Sequence, residues 1–276
     1  MPFPLAPPWP RRPEGRVLLM GILNVTPDSF SDGGFFAQSE AAIRHAEEMA
    51  QEGADILDIG GESTRPGAQA VSATEELARV VPVLTALRER RFTTPVSIDT
   101  YKAETAKVAL EAGASIVNDV WGLQRDAKMA GVVAEAGAGL VVMHNRETKD
   151  ETLDIAEDML RFFEHSLGLA RAAGIPEDRI ALDPGIGFGK TLDQNLAAIR
   201  AIPRLKAMGF AVLLGVSRKS FLGLVTNRPV TDRLAGSITA GMIGLDLGAD
   251  ILRVHDIAPH LDLLKVRAAL HPENAA

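Results

Sequence analysis

One pattern recurs along this chain: an apolar run of strand length ends in polar residues, and a segment with amphipathic helical spacing follows. Eight such units occupy about 250 residues. Runs that are apolar throughout, rather than alternating, are typical of parallel strands buried on both faces. The pattern therefore predicts an α/β fold, a single-domain (β/α)8 TIM barrel, with an open doubly wound sheet as the alternative. The predicted strands are residues 16–23, 56–59, 96–98, 115–117, 140–143, 180–182, 211–215 and 251–254.

Glycines before the strands support the same order of elements. A Gly-Ala dipeptide precedes four of the runs, at Gly53, Gly113, Gly137 and Gly248. Glycine commonly ends a helix in the left-handed conformation, and here the strand begins within two or three residues. This spacing is that of the short helix-to-strand loops in α/β units.

Charge and composition limit the classes of partner. The chain has 276 residues, no cysteine and a net charge of −7. An acidic chain is not expected to bind nucleic acid or an anionic membrane, and no apolar run is long enough to span a bilayer. The lack of cysteine excludes disulfides and fits a cytoplasmic protein. Residues 1–15 are proline-rich and are predicted to form an irregular tail, which leaves residues 16–276 for the barrel.

The end of the sixth predicted strand invites a phosphate-binding interpretation. Gly189, Lys190 and Thr191 have the spacing that ends a P-loop. That motif requires glycine five residues before Gly189, where this chain has Pro184, which has no N–H to offer a phosphate. The P-loop interpretation is therefore rejected, and Asp183 becomes the candidate binding group of this segment.

Polar side chains end most of the predicted strands, and in a barrel the carboxyl ends of all strands surround one mouth. One predicted zone holds carboxylates and amides, and the other holds cations suited to a phosphate or diphosphate. The first zone could accept hydrogen bonds from the N–H groups of a ligand, and the second could bind an anionic leaving group. Together they indicate group transfer with loss of phosphate or diphosphate. The first zone consists of Asp99, Asn118 and Asp183, and the second of Arg65, Lys219, Arg253 and His255.

Two loops after predicted strands are long for their position. Residues 24–34 precede helical spacing that begins near Ser39, and residues 60–67 are rich in glycine. Long βα loops are usually functional, so the first is predicted to be a mobile lid rooted at Asn24. Arg65 in the second loop could bind a phosphate or could be a solvated surface charge.

Other polar residues near the strand ends keep two interpretations. Asp58 lies inside its run and is interpreted as structural, bonded to a neighbouring strand end. Asn118 is predicted to face the ligand, and Asp119 to cap or support. His144 and Asn145 could form a metal or acid/base pair, but a structural role is favoured because no partner of metal-site type is spaced with them.

Seven segments occur together in a fixed order. They are residues 20–34, 58–67, 97–100, 118–120, 183–190, 217–220 and 253–256. In this order they resemble the segments of the dihydropteroate synthase family, and the resemblance covers about residues 17–270. It implies a TIM-barrel transferase of folate biosynthesis that condenses 6-hydroxymethyl-7,8-dihydropterin diphosphate with p-aminobenzoate, giving 7,8-dihydropteroate and diphosphate. It also implies a requirement for Mg2+, a homodimer and inhibition by sulfonamides.

The resemblance implies roles for individual residues. The catalytic groups would be Asp99, Lys219 and Asn24, in a dissociative mechanism where diphosphate leaves before the amine attacks. The pterin would be bound by Asp99, Asn118, Asp183 and Lys219. The diphosphate would be bound by Asn24, Thr64, Arg253 and His255, and Asn24 would also contact Mg2+. The p-aminobenzoate would lie near Phe30, Arg65, Pro66, Phe188 and Ser220.

Two other functions match part of the pattern. A methyltetrahydrofolate:corrinoid methyltransferase would share a pterin-binding barrel, but it would not need Arg253 and His255 or the two long loops. A catalytically inactive pterin-binding scaffold would need neither Asn24 nor the cations. The complete set of segments therefore favours the synthase.

Overall fold

In the computed structural model, eight parallel strands alternate with helices and close into a barrel. The structure describes residues 7–10, 17–26, 34–63 and 69–270, with only the backbone of residues 34–38. The strands are β1 (Leu18–Asn24), β2 (Ile56–Gly60), β3 (Val96–Asp99), β4 (Ile116–Asp119), β5 (Gly139–Met143), β6 (Ile180–Asp183), β7 (Ala211–Leu214) and β8 (Ile251–Val254).

The helices form the outer layer. In the described ranges they are α1 (Gly34–Gln51), α2 (Ala73–Glu89), α3 (Ala103–Ala112), α4 (Met129–Ala136), α5 (Ile155–Ala172), α6 (Leu192–Arg200), α7 (Ile202–Ala207), α8 (Ser220–Thr226), α9 (Leu234–Asp246) and α10 (Ile257–Leu270). The four glycines predicted to end helices all have positive φ. Among the described helices, none is long and apolar enough to cross a membrane.

The sheet closes because β1 pairs with two neighbours. Met20 is in register with Ile56 of β2 and with Arg253 of β8. The strands follow one another around the ring in chain order. A doubly wound sheet would leave two edges open, so the closed ring excludes that alternative and confirms the predicted (β/α)8 barrel.

Three helix boundaries differ from the predicted pattern. α1 begins at Gly34, whereas the helical spacing in the sequence begins near Ser39. The sixth and seventh units each contain two helices. In the sixth, Pro203 lies in the first turn of α7, where it cannot donate the hydrogen bond that would continue α6.

The side chains that point into the barrel form an apolar end and a polar end. The apolar cluster lies at the amino-terminal ends of the strands and consists of Trp9, Leu18, Met20, Ile56, Ile116, Val141, Ala181, Ala211, Leu213 and Ile251. Because side chains alternate along a strand, the next inward positions are two residues further on. On four strands these positions carry Asp58, Asn118, Asp183 and Arg253.

Trp9 closes the apolar end of the barrel. Its side chain is buried, and its indole Nε1 donates a hydrogen bond to the carbonyl oxygen of Arg179 at 2.9 Å. A Cβ atom on Gly139 would lie 2.8 Å from that nitrogen, so glycine at the start of β5 leaves room for the indole. Residues 7–10 lack regular secondary structure, but this part of the predicted tail belongs to the core. The boundary predicted at residue 16 stays a prediction, because residues 11–16 lie outside the described ranges.

Candidate active site

A pocket opens at the carboxyl ends of the strands. It is lined by Asp99, Asn118, Val120, Met143, Asp183, Ile186, Phe188, Gly215, Lys219 and Arg253. Six of the residues predicted from the sequence are among them, namely Asp99, Asn118, Asp183, Phe188, Lys219 and Arg253. The fold therefore brings the predicted carboxylate and amide zone together with two of the predicted cations.

Arg253 links two buried carboxylates in the floor of this pocket. Its Nε donates to Asp58 Oδ2 at 2.6 Å, and its Nη2 donates to Asp99 Oδ2 at 2.7 Å. Asp58 also accepts from Asn118 Nδ2 at 2.9 Å. These contacts agree with a structural role for Asp58, but its partners lie near the ends of β4 and β8, whereas the strands that pair with β2 are β1 and β3. We call Asp58, Asp99, Asn118 and Arg253 the mouth cluster.

The mouth cluster contains acceptors that the protein leaves without donors. Asp58 can only accept, so it fixes the Asn118 amide with its NH2 group inward and its Oδ1 free to accept. Among the described residues, no hydrogen bond reaches Asn118 Oδ1, Asp99 Oδ1 or Asp58 Oδ1, although all three atoms are buried. Buried polar atoms in folded proteins are nearly always satisfied. A ligand that offers N–H donors would satisfy the atoms that face the pocket.

Burial changes the acidity of the groups in the pocket. It raises the pKa of Asp99 to about 7, an effect that Arg253 opposes and Asp58 reinforces. It also raises the pKa of Asp183, which the Gly185 N–H opposes. The same loss of solvent lowers the pKa of Lys219 to about 8, while Asp183 favours its charged form. The cavity therefore holds charges in a medium where they interact more strongly than in water.

Asp183 and Lys219 both contact the short turn after β6. Asp183 Oδ1 accepts from the Gly185 N–H at 2.8 Å. Lys219 Nζ lies 4.3 Å from the centre of the Phe188 ring, a cation–π contact that holds the ammonium at the pocket wall. Gly215 contributes no side chain, and a Cβ there would be 3.9 Å from Asp183 Oδ2. The space between Asp183 and Arg253 is therefore open to a ligand.

The described parts of the two long loops are anchored at the mouth. Asn24 ends β1, and its Oδ1 would lie 3.9 Å from a Cβ atom on Gly60 at the end of β2. Glu62 forms an ion pair with Lys102, which also contacts Glu76 at 2.9 Å. The predicted residues Phe30, Thr64, Arg65 and Pro66 lie outside the described residues, and their predicted roles stay predictions.

The end of β8 meets the segment after β7 through a serine. Ser217 Oγ lies 2.9 Å from His255 Nδ1 and accepts from the His255 backbone N–H at 3.2 Å. Ser217 thus orients the imidazole, a role that the sequence did not reveal. Ser220, predicted to lie near p-aminobenzoate, is exposed at the start of α8 and is not one of the residues that line the pocket.

Asp119 and His144 have structural contacts. Asp119 Oδ1 accepts from the Trp121 N–H at 2.8 Å and its Oδ2 from the Leu123 N–H at 2.7 Å, so it caps a turn as predicted. Burial raises the pKa of Asp119 to about 6, against the effect of these N–H groups. His144 is buried, and its Nε2 lies 3.1 Å from Asp158 Oδ2. No group of three or more His, Asp or Glu side chains in the described chain could hold a metal ion.

Known proteins share both sequence and fold with this chain. The family described as "Pterin binding enzyme" matches residues 20–255. A dihydropteroate synthase of Clostridium beijerinckii is 49% identical over 243 residues, which are 88% of this chain and 90% of that protein. Among solved structures, the Clostridium difficile dihydropteroate synthase in the presence of pteroic acid matches with a TM-score of 0.90 and 45% identity, over 95% of this chain and 99% of that one.

A second solved structure carries the product named for these enzymes. It is the Xanthomonas albilineans dihydropteroate synthase in complex with 7,8-dihydropteroate, with a TM-score of 0.85 and 41% identity over 93% of this chain and 94% of that one. Identity above 40% along nearly the whole length leaves the family in no doubt. The chain belongs to the dihydropteroate synthase family of pterin-binding enzymes.

Proposed function

We propose that this chain is a dihydropteroate synthase, a transferase that joins 6-hydroxymethyl-7,8-dihydropterin diphosphate to p-aminobenzoate and releases diphosphate. Membership of the family supports this activity. The observation that carries it is the set of unsatisfied buried acceptors beside Asp183 at the barrel mouth. A pterin offers the N–H donors that such acceptors need.

The pterin is held by Asp183, Asn118, Asp99 and Lys219 in this proposal. The Asp183 carboxylate accepts from the 2-amino group and N3–H of the pterin as it would from a guanidinium. Asn118 contributes its Oδ1, because Asp58 already holds its amide NH2 group. Lys219 Nζ donates to an acceptor atom of the ring system. Each ligand donor then meets a protein acceptor whose geometry is set before binding.

The diphosphate is bound by Arg253 and His255, with Asn24 and Thr64 as further donors. Arg253 uses Nε and one Nη2 hydrogen on the two carboxylates, and the remaining hydrogens of its five N–H donors can bond to phosphate oxygens. The pKa of Arg253 is raised because Asp58 and Asp99 outweigh the effect of burial. Its charge is therefore permanent, as a binding site for a diphosphate requires.

The reaction is dissociative in this proposal. The bond between the pterin methylene carbon and the diphosphate oxygen breaks, and its electron pair leaves with the diphosphate. The nitrogen lone pair of p-aminobenzoate then forms the new C–N bond, and the amine loses a proton to solvent. Positive charge develops on the pterin beside Asp99, so catalysis is mainly electrostatic stabilisation and positioning by Asp99, Lys219 and Asn24.

Mg2+ fits the oxygen ligands that the proposal provides. In proteins this ion usually binds one or two side-chain oxygens, several waters and substrate phosphates. Asn24 would hold the ion together with the diphosphate. The ion, when bound, would neutralise charge on the leaving group.

The p-aminobenzoate lies beside Phe188 at the outer side of the pocket, with Phe30, Arg65, Pro66 and Ser220 as its further neighbours. The aromatic ring of Phe188 lines the pocket and offers a face to a second aromatic ring. Sulfonamides, which resemble p-aminobenzoate, are expected to compete for this position.

The chain forms a homodimer in this proposal. Large apolar side chains are exposed on α8 and at α9, including Leu224 at 69%, Val225 at 61% and Ile243 at 50%. Exposed apolar groups on adjacent helices commonly mark a protein interface. Light scattering during gel filtration is expected to give about twice the mass of one chain, and a monomer at micromolar concentration would contradict the dimer. A cytoplasmic location stays a prediction.

Turnover of both substrates tests the function. With Mg2+ present, diphosphate release from the pterin diphosphate is expected to depend on p-aminobenzoate and to yield 7,8-dihydropteroate by mass spectrometry. Retained pterin binding without turnover would indicate the inactive scaffold. Methyl transfer from methyltetrahydrofolate to a corrinoid would indicate the methyltransferase instead.

A further inference from the structure

Lys190 is a buried cation that the proposed chemistry does not use. Only 2% of its surface is exposed, although it follows a glycine-rich turn at the edge of the active site. A buried ammonium is costly unless it is paired or hydrogen-bonded. The groups around its ammonium should therefore explain why this buried position carries a lysine.

Four acceptors surround the Lys190 ammonium. Its Nζ lies 2.8 Å from His144 Nδ1 and 2.8 Å from the carbonyl oxygen of Gly185. The carbonyl oxygens of Phe188 and His144 are 3.2 and 3.3 Å away. Three hydrogens on the ammonium thus meet four acceptors, which come from two segments: the end of β5 and the turn after β6. The ammonium ties these two segments together.

His144 connects Lys190 to Asp158 of α5 through its two ring nitrogens. Burial, reinforced by Lys190, lowers the pKa of His144 to about 3, so the ring is neutral. Its Nδ1 accepts from Lys190, so its proton is on Nε2, which faces Asp158 Oδ2 at 3.1 Å. Arg146 Nη1 donates to the same oxygen at 2.6 Å. We call Lys190, His144, Asp158 and Arg146 the turn lock.

The turn held by Lys190 packs tightly against the segment after β5. A Cβ atom on Gly185 would overlap the carbonyl oxygen of His144, and one on Gly189 would overlap that of Arg146. Both glycines also have positive φ. The two backbones therefore approach as closely as glycine allows, and the ammonium neutralises carbonyl groups that would otherwise repel one another.

The same turn carries Phe188 into the pocket. The Phe188 carbonyl oxygen faces Lys190, and its ring stacks against the Lys219 ammonium at 4.3 Å. The Gly187 N–H is held from the other side by Asn195 Oδ1 at 2.6 Å. Asn118 and Asp183, in contrast, are on strands, although Asp183 also accepts a hydrogen bond from the Gly185 N–H of the turn. A change at Lys190 therefore affects the turn more than the strand-borne groups.

We propose that Lys190 is a positioning residue that fixes the turn 184–189 against the end of β5, and so orders the side of the pocket that receives p-aminobenzoate. The assignment of that side rests on the proposed function. Lys190 touches neither substrate and acts through Phe188. Burial also lowers the pKa of Lys190 to about 7, against the effect of Asp183.

The variant Lys190→Met tests this role, because methionine fills similar space and donates no hydrogen bond. The KM for p-aminobenzoate is expected to rise at least tenfold, while the Kd of the pterin diphosphate, measured by calorimetry, changes less than threefold. Lys149→Met, at an exposed residue of the same β5–α5 connection, is the matched control and should change neither value. Equal increases in both constants, or an unchanged KM, would overturn the proposal.

Two further measurements keep the outcome clear. If Lys190→Met does not fold, Asp158→Asn weakens the turn lock from its outer end, and a smaller rise in the KM for p-aminobenzoate is expected. An unchanged KM would overturn the proposal.

If the wild-type protein shows no turnover, the proposed function fails, and amide hydrogen exchange tests the turn lock instead. Exchange at Gly187 and Phe188 is expected to be at least tenfold faster in Lys190→Met than in the wild type. Unchanged exchange would overturn the proposal.

Discussion

The mouth cluster and the turn lock are two groups of charged and polar side chains, and they differ in how their innermost groups use hydrogen bonds. In the turn lock, the Lys190 ammonium has more acceptors than hydrogens. In the mouth cluster, Asn118 Oδ1 and Asp99 Oδ1 are buried and receive no hydrogen bond from the described residues. A buried unsatisfied atom is costly, and a ligand in the pocket that donates hydrogen bonds would remove this cost for Asn118 and Asp99, which line it.

This difference separates positioning from binding. Both clusters contain perturbed pKa values, and both include charged residues that a search for unusual acidity would select. The Lys190 ammonium differs from the mouth cluster in this respect, because Lys190 has no hydrogen left for a substrate, whereas the mouth cluster has acceptors to offer. At the outer end of the turn lock, Arg146 Nε is buried and reaches no acceptor among the described residues. Three substitutions test this distinction.

Asp183→Asn should weaken pterin binding most. The substitution removes the charge and places an NH2 group against the donors of the pterin edge. Two donors then face each other where a hydrogen bond had formed. We expect the Kd for the pterin diphosphate to rise at least about 100-fold. Calorimetry measures it, with the exposed residue change Asp193→Asn as control. Wild-type affinity in Asp183→Asn would remove this residue from the binding site.

Asp58→Asn should have an intermediate effect, because Asp58 acts through its neighbours. An amide at this position can satisfy Arg253 or Asn118, but it no longer dictates the orientation of the Asn118 amide. We expect pterin affinity to fall about tenfold, on the scale of one lost charge-assisted hydrogen bond. Fluorescence titration measures it. A loss as large as that of Asp183→Asn would mean that Asp58 contacts the ligand itself.

Asp99→Asn should change stability slightly and with a defined pH dependence. Because burial raises the pKa of Asp99 from 3.8 to about 7, the folded state binds the proton more tightly than the unfolded state. The wild type therefore loses stability as pH rises from about 4 to about 7. Asn cannot ionise, so the variant should be about 1–2 kcal/mol more stable than wild type at pH 8.

Thermal unfolding across this range measures the difference for Asp99→Asn. Its advantage should shrink steadily as the pH falls from about 7 and should level off below 3.8, where the wild-type carboxyl group is protonated in both states. The variant also loses the ion pair with Arg253. The expected gain in stability is therefore smaller than the free energy that corresponds to the full pKa shift. A variant less stable than wild type at pH 8 would show that the ion pair with Arg253 outweighs the cost of burial.

Much of the fold could be predicted because its signals are local. Apolar runs and the glycines before them define the strands, and the strand ends carry Asp99, Asn118, Asp183 and Arg253 into the pocket. The start of α1 and the second helix of the sixth unit were missed, the latter because Pro203 interrupts the helical run. Trp9 has no local signal for burial, because its partners are contributed by the whole ring of strands.

The site was predicted less completely than the fold. Asp58 was identified as structural, but its contact with Arg253 joins residues 195 positions apart, and no pattern in one sequence reports such a pair. Ser217 stands beside Arg218 and Lys219, so its contact with His255 was hidden by more conspicuous neighbours. Lys190 was rejected as a phosphate ligand from the motif alone, and only the packing of two loops reveals what it holds.

The position of Trp9 affects the strength of electrostatic interactions at the other end of the barrel. Water that entered along the barrel axis would reach the underside of Asp58 and Arg253 and weaken their interaction by raising the local dielectric constant. The indole packs against Gly139 and donates a hydrogen bond to the Arg179 carbonyl oxygen. In this position it excludes water from the base of the barrel. The strength of the field that a substrate meets at the mouth thus depends on a residue near the beginning of the chain.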